Sequence, residues 1–96
     1  MMEDTKELIT VIMPVYNAEK YIYESIKSIL VQSYSNFEFI IINDGSKDSS
    51  GKIIENFLDD TRIRYINREN KGLVFTLNEA ISLSRGNYIA RMDADD

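Results

Sequence analysis

The sequence predicts an α/β fold in which helices cover both faces of a mostly parallel β-sheet. Four short runs rich in Ile, Val and Phe alternate with three longer segments of helical periodicity, in the order β-α-β-α-β-α-β. Such continuous apolar runs are typical of strands buried on both faces and joined by right-handed helical crossovers. The 96 residues suffice for one small domain or for part of a larger one. The expected architecture therefore has three layers, α/β/α.

Each strand is predicted from an apolar run and from the turn residues that close it. The first spans residues 8–13 and is closed by Pro14, and the second spans residues 37–42 and is closed by an Asn-Asp-Gly-Ser turn. Residues 62–66 alternate between polar and apolar side chains, which is the pattern of an edge strand. The fourth strand spans residues 88–92.

The three helices are predicted from apolar residues at three- and four-residue spacing. They span residues 18–31, 49–58 and 73–84. Asn17 is placed to cap the first helix. The buried face of the third is expected to carry Leu73, Leu77, Ala80, Ile81 and Ser84.

The composition excludes several classes of function. The chain has no cysteine and no histidine, which excludes disulfides, thiolate nucleophiles, imidazole bases and zinc sites of the usual ligand types. A net charge of −5 argues against a nucleic-acid partner, because phosphate backbones are bound by clustered Lys and Arg. No glycine-rich fingerprint follows the first strand and no Gly-x-x-x-x-Gly-Lys-Ser/Thr occurs, so dinucleotide binding and nucleoside triphosphatase activity are disfavoured.

The N-terminal segment does not resemble a targeting sequence. Residues 1–7 are acidic and lack the basic start and apolar core of a signal peptide, and no apolar run approaches membrane-spanning length. A cytoplasmic location is therefore expected, with membrane association of a longer protein left open. We expect residues 1–7 to be disordered or loosely ordered and residues 8–96 to form the domain.

Polar side chains follow the strands at the edge of the sheet where open parallel sheets bind ligands. Tyr16 follows the first strand, Asp44 follows the second, residues 67–72 follow the third, and Asp93, Asp95 and Asp96 follow the fourth. Closely spaced aspartates offer hard oxygen ligands suited to Mg²⁺ or Mn²⁺, ions that usually bridge a protein to a substrate's phosphates. Taken alone, these terminal carboxylates fit a solvated tail equally well.

The basic residues nearest this edge are Arg68, Lys71 and Arg91. Any of them could approach a base or a diphosphate. We expect each to be a solvated surface charge instead.

Five segments resemble the family 2 inverting glycosyltransferases of the GT-A fold. They are residues 11–17, 26–34, 42–48, 78–81 and 85–96, in the order in which the family has them. The resemblance runs from about residue 8 to the end of the chain. It concerns the N-terminal, nucleotide-binding half of that domain, truncated after the Asp-x-Asp motif, and it implies a Rossmann-like sheet whose fourth strand lies beside the first.

The resemblance implies a role for individual residues. Tyr16 matches the ring that stacks on the nucleobase, although it could simply pack over the sheet end, and Pro14 shapes the adjoining turn and offers its carbonyl to the base. Asp44 matches the carboxylate that accepts a hydrogen bond from a uracil-type ring N–H, although an Asx-turn or helix cap also suits it. Asp93 matches a contact to the ribose, or to the metal through water. Asp95 matches the direct metal ligand that is bridged to the diphosphate.

The implied reaction transfers a sugar, with inversion, from a nucleoside diphosphate sugar to a hydroxyl acceptor in cell-surface polysaccharide or glycan synthesis. The donor is expected to be a UDP-sugar and the cofactor Mn²⁺ or Mg²⁺. The family's general base lies well after the Asp-x-Asp motif, so this chain is expected to be inactive alone. The alternatives are a non-catalytic nucleotide-sugar binding module and a ligand-free structural α/β domain. The bare edge of the fourth strand predicts self-association.

Overall fold

The computed structural model describes residues 7–94, and the predicted order of elements is confirmed. The elements are β1 (Ile9–Val15), α1 (Ile22–Leu30), β2 (Phe37–Asp44), α2 (Ser50–Glu55), β3 (Ile63–Arg68), α3 (Leu73–Leu83) and β4 (Tyr88–Arg91). All strand pairings are parallel and the strand order is β3-β2-β1-β4. The strand order confirms that β3 is an edge strand and that β4 lies beside β1.

The sheet separates two apolar clusters, one on each face. Phe39 and Ile41 of β2 belong to the cluster under α1 and α2, whereas Ile40 and Ile42 belong to the smaller cluster under α3. Every residue of β2 is buried, which accounts for the four consecutive apolar residues 39–42 at its centre. The α3 side of the sheet buries fewer apolar residues. The polar contacts at the two ends of α3 therefore contribute a larger share of the binding between this helix and the sheet.

The predicted buried face of α3 is wrong at two positions. The helix buries Thr76 and Ala80, whereas Leu73 is 50% and Ile81 48% exposed. A residue next along a helix is rotated by about 100°, so Ile81 lies to one side of the stripe that Thr76 and Ala80 define.

The first helix begins at Ile22, four residues later than predicted, and Asn17 does not cap it. Asn17 has a φ of +51°, in the left-handed region that asparagine tolerates. Its Oδ1 accepts a hydrogen bond from the Lys47 backbone N–H (2.8 Å), and the N–H of Ala18 donates to Ser50 Oγ (2.8 Å). The polar groups between β1 and α1 are thus paired with the loop after β2 and with the first residue of α2, and these contacts hold the two strand ends together.

β4 forms an exposed edge of the sheet. All four of its residues are exposed, with Tyr88 61% and Ile89 46% accessible. Self-association through this edge stays a prediction that light scattering over a range of protein concentrations can test.

Of the segment 1–7, only Glu7 falls within the described residues. Its carbonyl accepts hydrogen bonds from the Tyr34 hydroxyl and the Asn36 amide. Within residues 7–94, no helix is both long and apolar enough to cross a membrane.

Candidate nucleotide-binding site

A cleft of about 470 Å³ opens at the carboxyl ends of β1, β2 and β4. Pro14, Tyr16, Asp44 and Asp93, the predicted site residues that the structure describes, all line it. The predicted metal ligand Asp95 lies outside the described residues, as does Asp96. Side chains that are up to 79 positions apart in sequence therefore share one concave surface, as expected for a parallel sheet.

Tyr16 presents a largely free aromatic ring at this cleft. The residue is 52% exposed, and within residues 7–94 its side chain takes part in no hydrogen bond, ion pair or ring contact. Its conformation fits a stacking surface better than it fits an aromatic residue packed over the sheet end, since a packed ring would be covered.

Asp44 holds the loop between β3 and α3. It is 5% exposed, and its Oδ1 accepts hydrogen bonds from Arg68 Nη1 and from the Lys71 backbone N–H (2.7 Å). Its Oδ2 accepts from the Gly72 N–H (3.1 Å) and from Asn70 Nδ2 (3.2 Å). A carboxylate offers about four lone-pair positions, so these donors occupy the whole of it.

The charge of Asp44 is stabilised by the same contacts. Burial by itself raises the pKa of the Asp44 carboxyl. The hydrogen bonds from Lys71, Arg68 and Gly72 outweigh burial and hold that pKa below its ordinary value. Asp44 is therefore ionised at neutral pH and is a fixed negative charge in the wall of the cleft.

Among the described residues Asp44 makes no Asx-turn, and its neighbour accepts a backbone N–H three residues on in the turn after β2. Asn43 Oδ1 accepts the Ser46 backbone N–H (3.2 Å), and Asn43 Nδ2 donates to the Tyr65 hydroxyl (3.2 Å). Asparagine suits this turn for the same reason as aspartate does, namely a short side chain with an acceptor oxygen. The Asp44 carboxylate therefore points away from its own turn and toward the β3–α3 loop.

Arg68 is a partly buried ion-pair partner, so the expectation of a solvated surface charge is wrong. Its side chain is 14% exposed and contacts Asp44 as well as Glu79, with Nη2 2.7 Å from Glu79 Oε1. Nη2 also donates to Thr76 Oγ1 (2.9 Å). The reason is register: β3 runs two residues further than predicted, which places Arg68 directly opposite Asp44.

Pro14 limits the pairing between β1 and β4. The strand does not close at Pro14 but continues to Val15. Met92 N–H donates to the Ile12 carbonyl (2.9 Å), so the next bond of this parallel ladder would run from the nitrogen of residue 14 to the carbonyl of Met92. Proline has no N–H, so the ladder stops there, and β4 ends at Arg91. The chain leaves the sheet at this point, where Asp93 and Ala94 line the cleft.

Asp93 is paired with the last residue of β4. Arg91 Nε donates to Asp93 Oδ1 (3.0 Å), and the two side chains are 45% and 41% exposed. Ala94 is buried, and its carbonyl accepts a hydrogen bond from Ser25 Oγ of α1 (2.9 Å). This contact anchors the segment that leads out of β4 and fixes the position of Asp93 beside the cleft.

The donor groups of this cleft suit a hard divalent cation bound in part by a ligand. Residues 7–94 contain no group of three His, Cys, Asp or Glu side chains close enough to hold a metal by themselves. Asp93 supplies a half-exposed carboxylate, and Mg²⁺-type ions are commonly bound through one or two carboxylates together with substrate phosphates. The cleft fits such an open site and does not fit a closed protein cage.

The sequence placed residues 67–72 at this edge of the sheet, but it gave no role to individual residues of that loop or of α3. Asn70, Gly72, Leu73 and Thr76 line the cleft. No local pattern shows that residues 70–72 bind a carboxylate 26 or more positions earlier, because that contact depends on the pairing of β2 with β3.

Comparison with known proteins relates the chain to glycosyltransferases by sequence. A model of the family described as "Glycosyl transferase family 2" matches residues 10–96. Glycosyltransferase GlyA of Streptococcus pneumoniae serotype 4 is 45% identical over 97 residues, which cover all of this chain and 14% of GlyA.

Two solved structures have the same fold. S. aureus TarS 1-349 in complex with UDP-GlcNAc has a TM-score of 0.84 at 28% identity, over 91% of this chain and 26% of TarS. The mannosyltransferase PcManGT of Pyrobaculum calidifontis, in complex with GDP-Man and Mn²⁺, has a TM-score of 0.79 at 25% identity, over 91% of this chain and 27% of PcManGT. The chain thus spans less than a third of the length of each of these relatives.

Proposed function

We propose, on the premise that this chain belongs to glycosyl transferase family 2, that it forms the donor-nucleotide half of a sugar-transferring enzyme. The enzyme would transfer a sugar from a nucleoside diphosphate sugar to a hydroxyl acceptor, with inversion, in cell-surface polysaccharide or glycan synthesis. The observation that carries the proposal is the convergence of Pro14, Tyr16, Asp44 and Asp93 on one cleft. The UDP-GlcNAc bound to TarS and the GDP-Man bound to PcManGT support this class of donor.

The nucleobase would bind between the ends of β1 and β2. The exposed ring of Tyr16 is free to stack on a base, and the carbonyl of Pro14 is a nearby acceptor. A uracil-type N–H at Asp44 has to replace one of the four donors already bound there. Asn70 makes the longest of these four hydrogen bonds, at 3.2 Å, and we expect its amide to be displaced. Because the carboxylate of Asp44 is the acceptor proposed for a uracil-type ring N–H, UDP is the expected nucleotide.

The ribose and the diphosphate would bind toward the end of β4. Asp93 is placed to accept a hydrogen bond from a ribose hydroxyl, and Asp93 and Asp95 are the residues that would hold Mn²⁺ or Mg²⁺. When bound, such a cation supplies electrostatic stabilisation of the negative charge on the departing diphosphate. No residue of this chain is assigned as the base that deprotonates the acceptor hydroxyl. We therefore expect this chain to bind the donor nucleotide without turning it over.

Calorimetric titration of UDP into the purified chain tests the proposal. We expect binding in the presence of Mn²⁺, loss of binding when a chelator is added, and weaker binding of GDP. Tyr16→Ala and Asp93→Asn should each weaken UDP binding, whereas Asp59→Asn, a matched substitution at an exposed position outside the cleft, should not.

The same titration separates the proposal from its alternatives. If UDP does not bind with Mn²⁺ present, this chain is a structural α/β domain and the proposed donor site is wrong. Transfer of sugar to an acceptor faster than uncatalysed donor hydrolysis would contradict the expected lack of turnover.

A further inference from the structure

We infer that Arg91 binds the diphosphate of the donor, so that the cleft has its own positive charge in addition to any bound cation. Arg91 is the one Lys or Arg among the cleft-lining residues within positions 7–94. Arg68, which the sequence also placed near this edge of the sheet, is paired with Asp44 and Glu79 and does not line the cleft. The inference rests on the proposed function, because it assigns a residue to the phosphates of the same ligand.

The position of Arg91 follows from the end of the β1–β4 ladder. Arg91 pairs with Ile12 as the last residue of β4, and alternate residues of an extended segment project to the same side. Arg91 and Asp93 accordingly meet at the cleft, where a single contact joins Arg91 Nε to Asp93 Oδ1. Within residues 7–94 the Arg91 side chain has no other partner, so both terminal amino groups of the guanidinium are available. Two such groups can bind one phosphate with parallel hydrogen bonds.

The charges of the cleft indicate why a guanidinium is needed there. Among the described lining residues, Asp44 and Asp93 are negative and Arg91 alone is positive, and Asp44 already has Arg68 as its partner. A diphosphate entering this cleft would meet an excess of negative charge without Arg91. In the structure Arg91 compensates Asp93, and a divalent cation on Asp93 would release the guanidinium to the phosphates. Each charge thus has an opposite partner before and after donor binding.

The test compares UDP with uridine on the 96-residue chain. Arg91→Gln should lower the affinity for UDP roughly tenfold, the loss expected for one charge-assisted phosphate contact, and should leave the affinity for uridine unchanged. Arg91→Lys keeps the positive charge but loses the paired N–H groups of the guanidinium, and it should recover part of the UDP affinity. Arg85→Gln is the matched control: it removes the same charge from a side chain that is 72% exposed and outside the cleft, and UDP affinity should not change.

Binding of Mn²⁺ without nucleotide, measured from the electron paramagnetic resonance signal of the free ion, gives a second readout of opposite sign. Because Arg91→Gln removes a positive charge beside Asp93, Mn²⁺ affinity should rise by about threefold while UDP affinity falls. A general folding defect would lower both.

The outcomes distinguish this inference from the proposed function. If the unsubstituted chain binds no UDP, the donor site itself is refuted, and the inference with it. The donor site stands and Arg91 is a solvated surface charge under either of two results. In the first, UDP binds and the Arg91→Gln and Arg85→Gln variants have the same UDP affinity. In the second, Arg91→Gln lowers the affinities for uridine and UDP equally.

Discussion

Replacement of Arg68 by methionine tests whether an ion-pair network holds the wall of the cleft. The guanidinium contacts Asp44 and Glu79 at once and also donates to Thr76 Oγ1. Methionine retains most of the apolar stem of arginine and removes the charge and all of these hydrogen bonds. The substitution therefore reports on the polar contacts more than on packing.

The expected loss of stability lies between the values measured for exposed and for buried ion pairs. Removing one partner of a buried pair costs about 3–5 kcal/mol, and exposed pairs contribute about 0.2–1 kcal/mol. The side chains of Arg68, Asp44 and Glu79 are 14%, 6% and 28% exposed, so the network is mostly but not fully buried. Asp44 keeps the N–H donors of Lys71 and Gly72, which lessens the loss. We expect a decrease in the free energy of unfolding of about 2 kcal/mol.

Urea denaturation followed by far-ultraviolet circular dichroism measures this loss. For a chain of this size the dependence on urea is about 1 kcal/mol per molar, so the midpoint should fall by about 2 M. The folded-state pKa of Asp44 is lowered, so its stabilising charge is present above the unfolded value of about 4 and is lost as pH falls through the folded value. The difference in the free energy of unfolding between Arg68→Met and the unsubstituted chain should accordingly be largest at pH 7 and shrink below about pH 4.

Arg85→Met is the control for this prediction. It makes the same chemical change at a side chain that is 72% exposed and 3.5 Å from its acidic neighbour, and it should cost no more than about 0.5 kcal/mol. If Arg68→Met costs as little as this control, the network does not hold the β3–α3 loop and the explanation given for the cleft wall is wrong.

Three further predictions follow from the same contacts. Tyr16→Ala should lower UDP affinity about tenfold with little change in stability, since the ring is 52% exposed, whereas Tyr21→Ala, 47% exposed and outside the cleft, should leave UDP affinity unchanged; calorimetry decides. Gly45→Ala should destabilise the chain by about 1–3 kcal/mol more than Gly72→Ala in urea titrations. Both have positive φ, but only at Gly45 would a Cβ lie 2.5 Å from a backbone nitrogen of the facing loop. Burial raises the pKa of Glu38, but hydrogen bonds from Thr10, Arg85 and Arg64 hold it below its ordinary value. Its stabilisation is thus present above about pH 4 and lost below, and Glu38→Gln should flatten the fall in urea midpoint between pH 5 and pH 3. An equal fall with and without Glu38 would contradict this.

The polar network around Glu38 shows how α3 is attached at its other end. Arg64 Nη1 donates to Glu38 Oε1 (3.1 Å) and to the Leu83 carbonyl at the end of α3 (2.8 Å). Asp44, on the same face of β2 six residues later, binds the loop that begins α3. Two buried carboxylates of one strand thus secure the two ends of a helix that contributes few apolar residues to the core.

Much of the fold follows from local patterns that the sequence displays directly. The four consecutive apolar residues 39–42 of β2 required burial on both faces, and the alternation of strands with helical periods required parallel pairing with crossovers. Parallel pairing places all the carboxyl ends of the strands at one edge. For this reason the convergence of Tyr16, Asp44 and Asp93 could be predicted from their positions after successive strands.

Other features depend on contacts between residues far apart in the chain. Asn17 looked like a helix cap, but its side chain binds the loop after β2 and the next N–H binds the first residue of α2, so α1 begins four residues later than predicted. Arg68 looked like a surface charge because its partner is 24 positions away, and only the register of β2 and β3 places it opposite Asp44.

The sequence by itself therefore determined the class of fold, the order of its elements and the edge of the sheet that carries the candidate site. These depend on periodicity and on turn residues, which act over a few neighbouring positions. The tertiary structure decided which charge pairs with which, where β4 leaves the sheet and which arginine stays available in the cleft. Such pairings depend on strand register, because a polar side chain binds whatever partner the register places within about 3 Å of it.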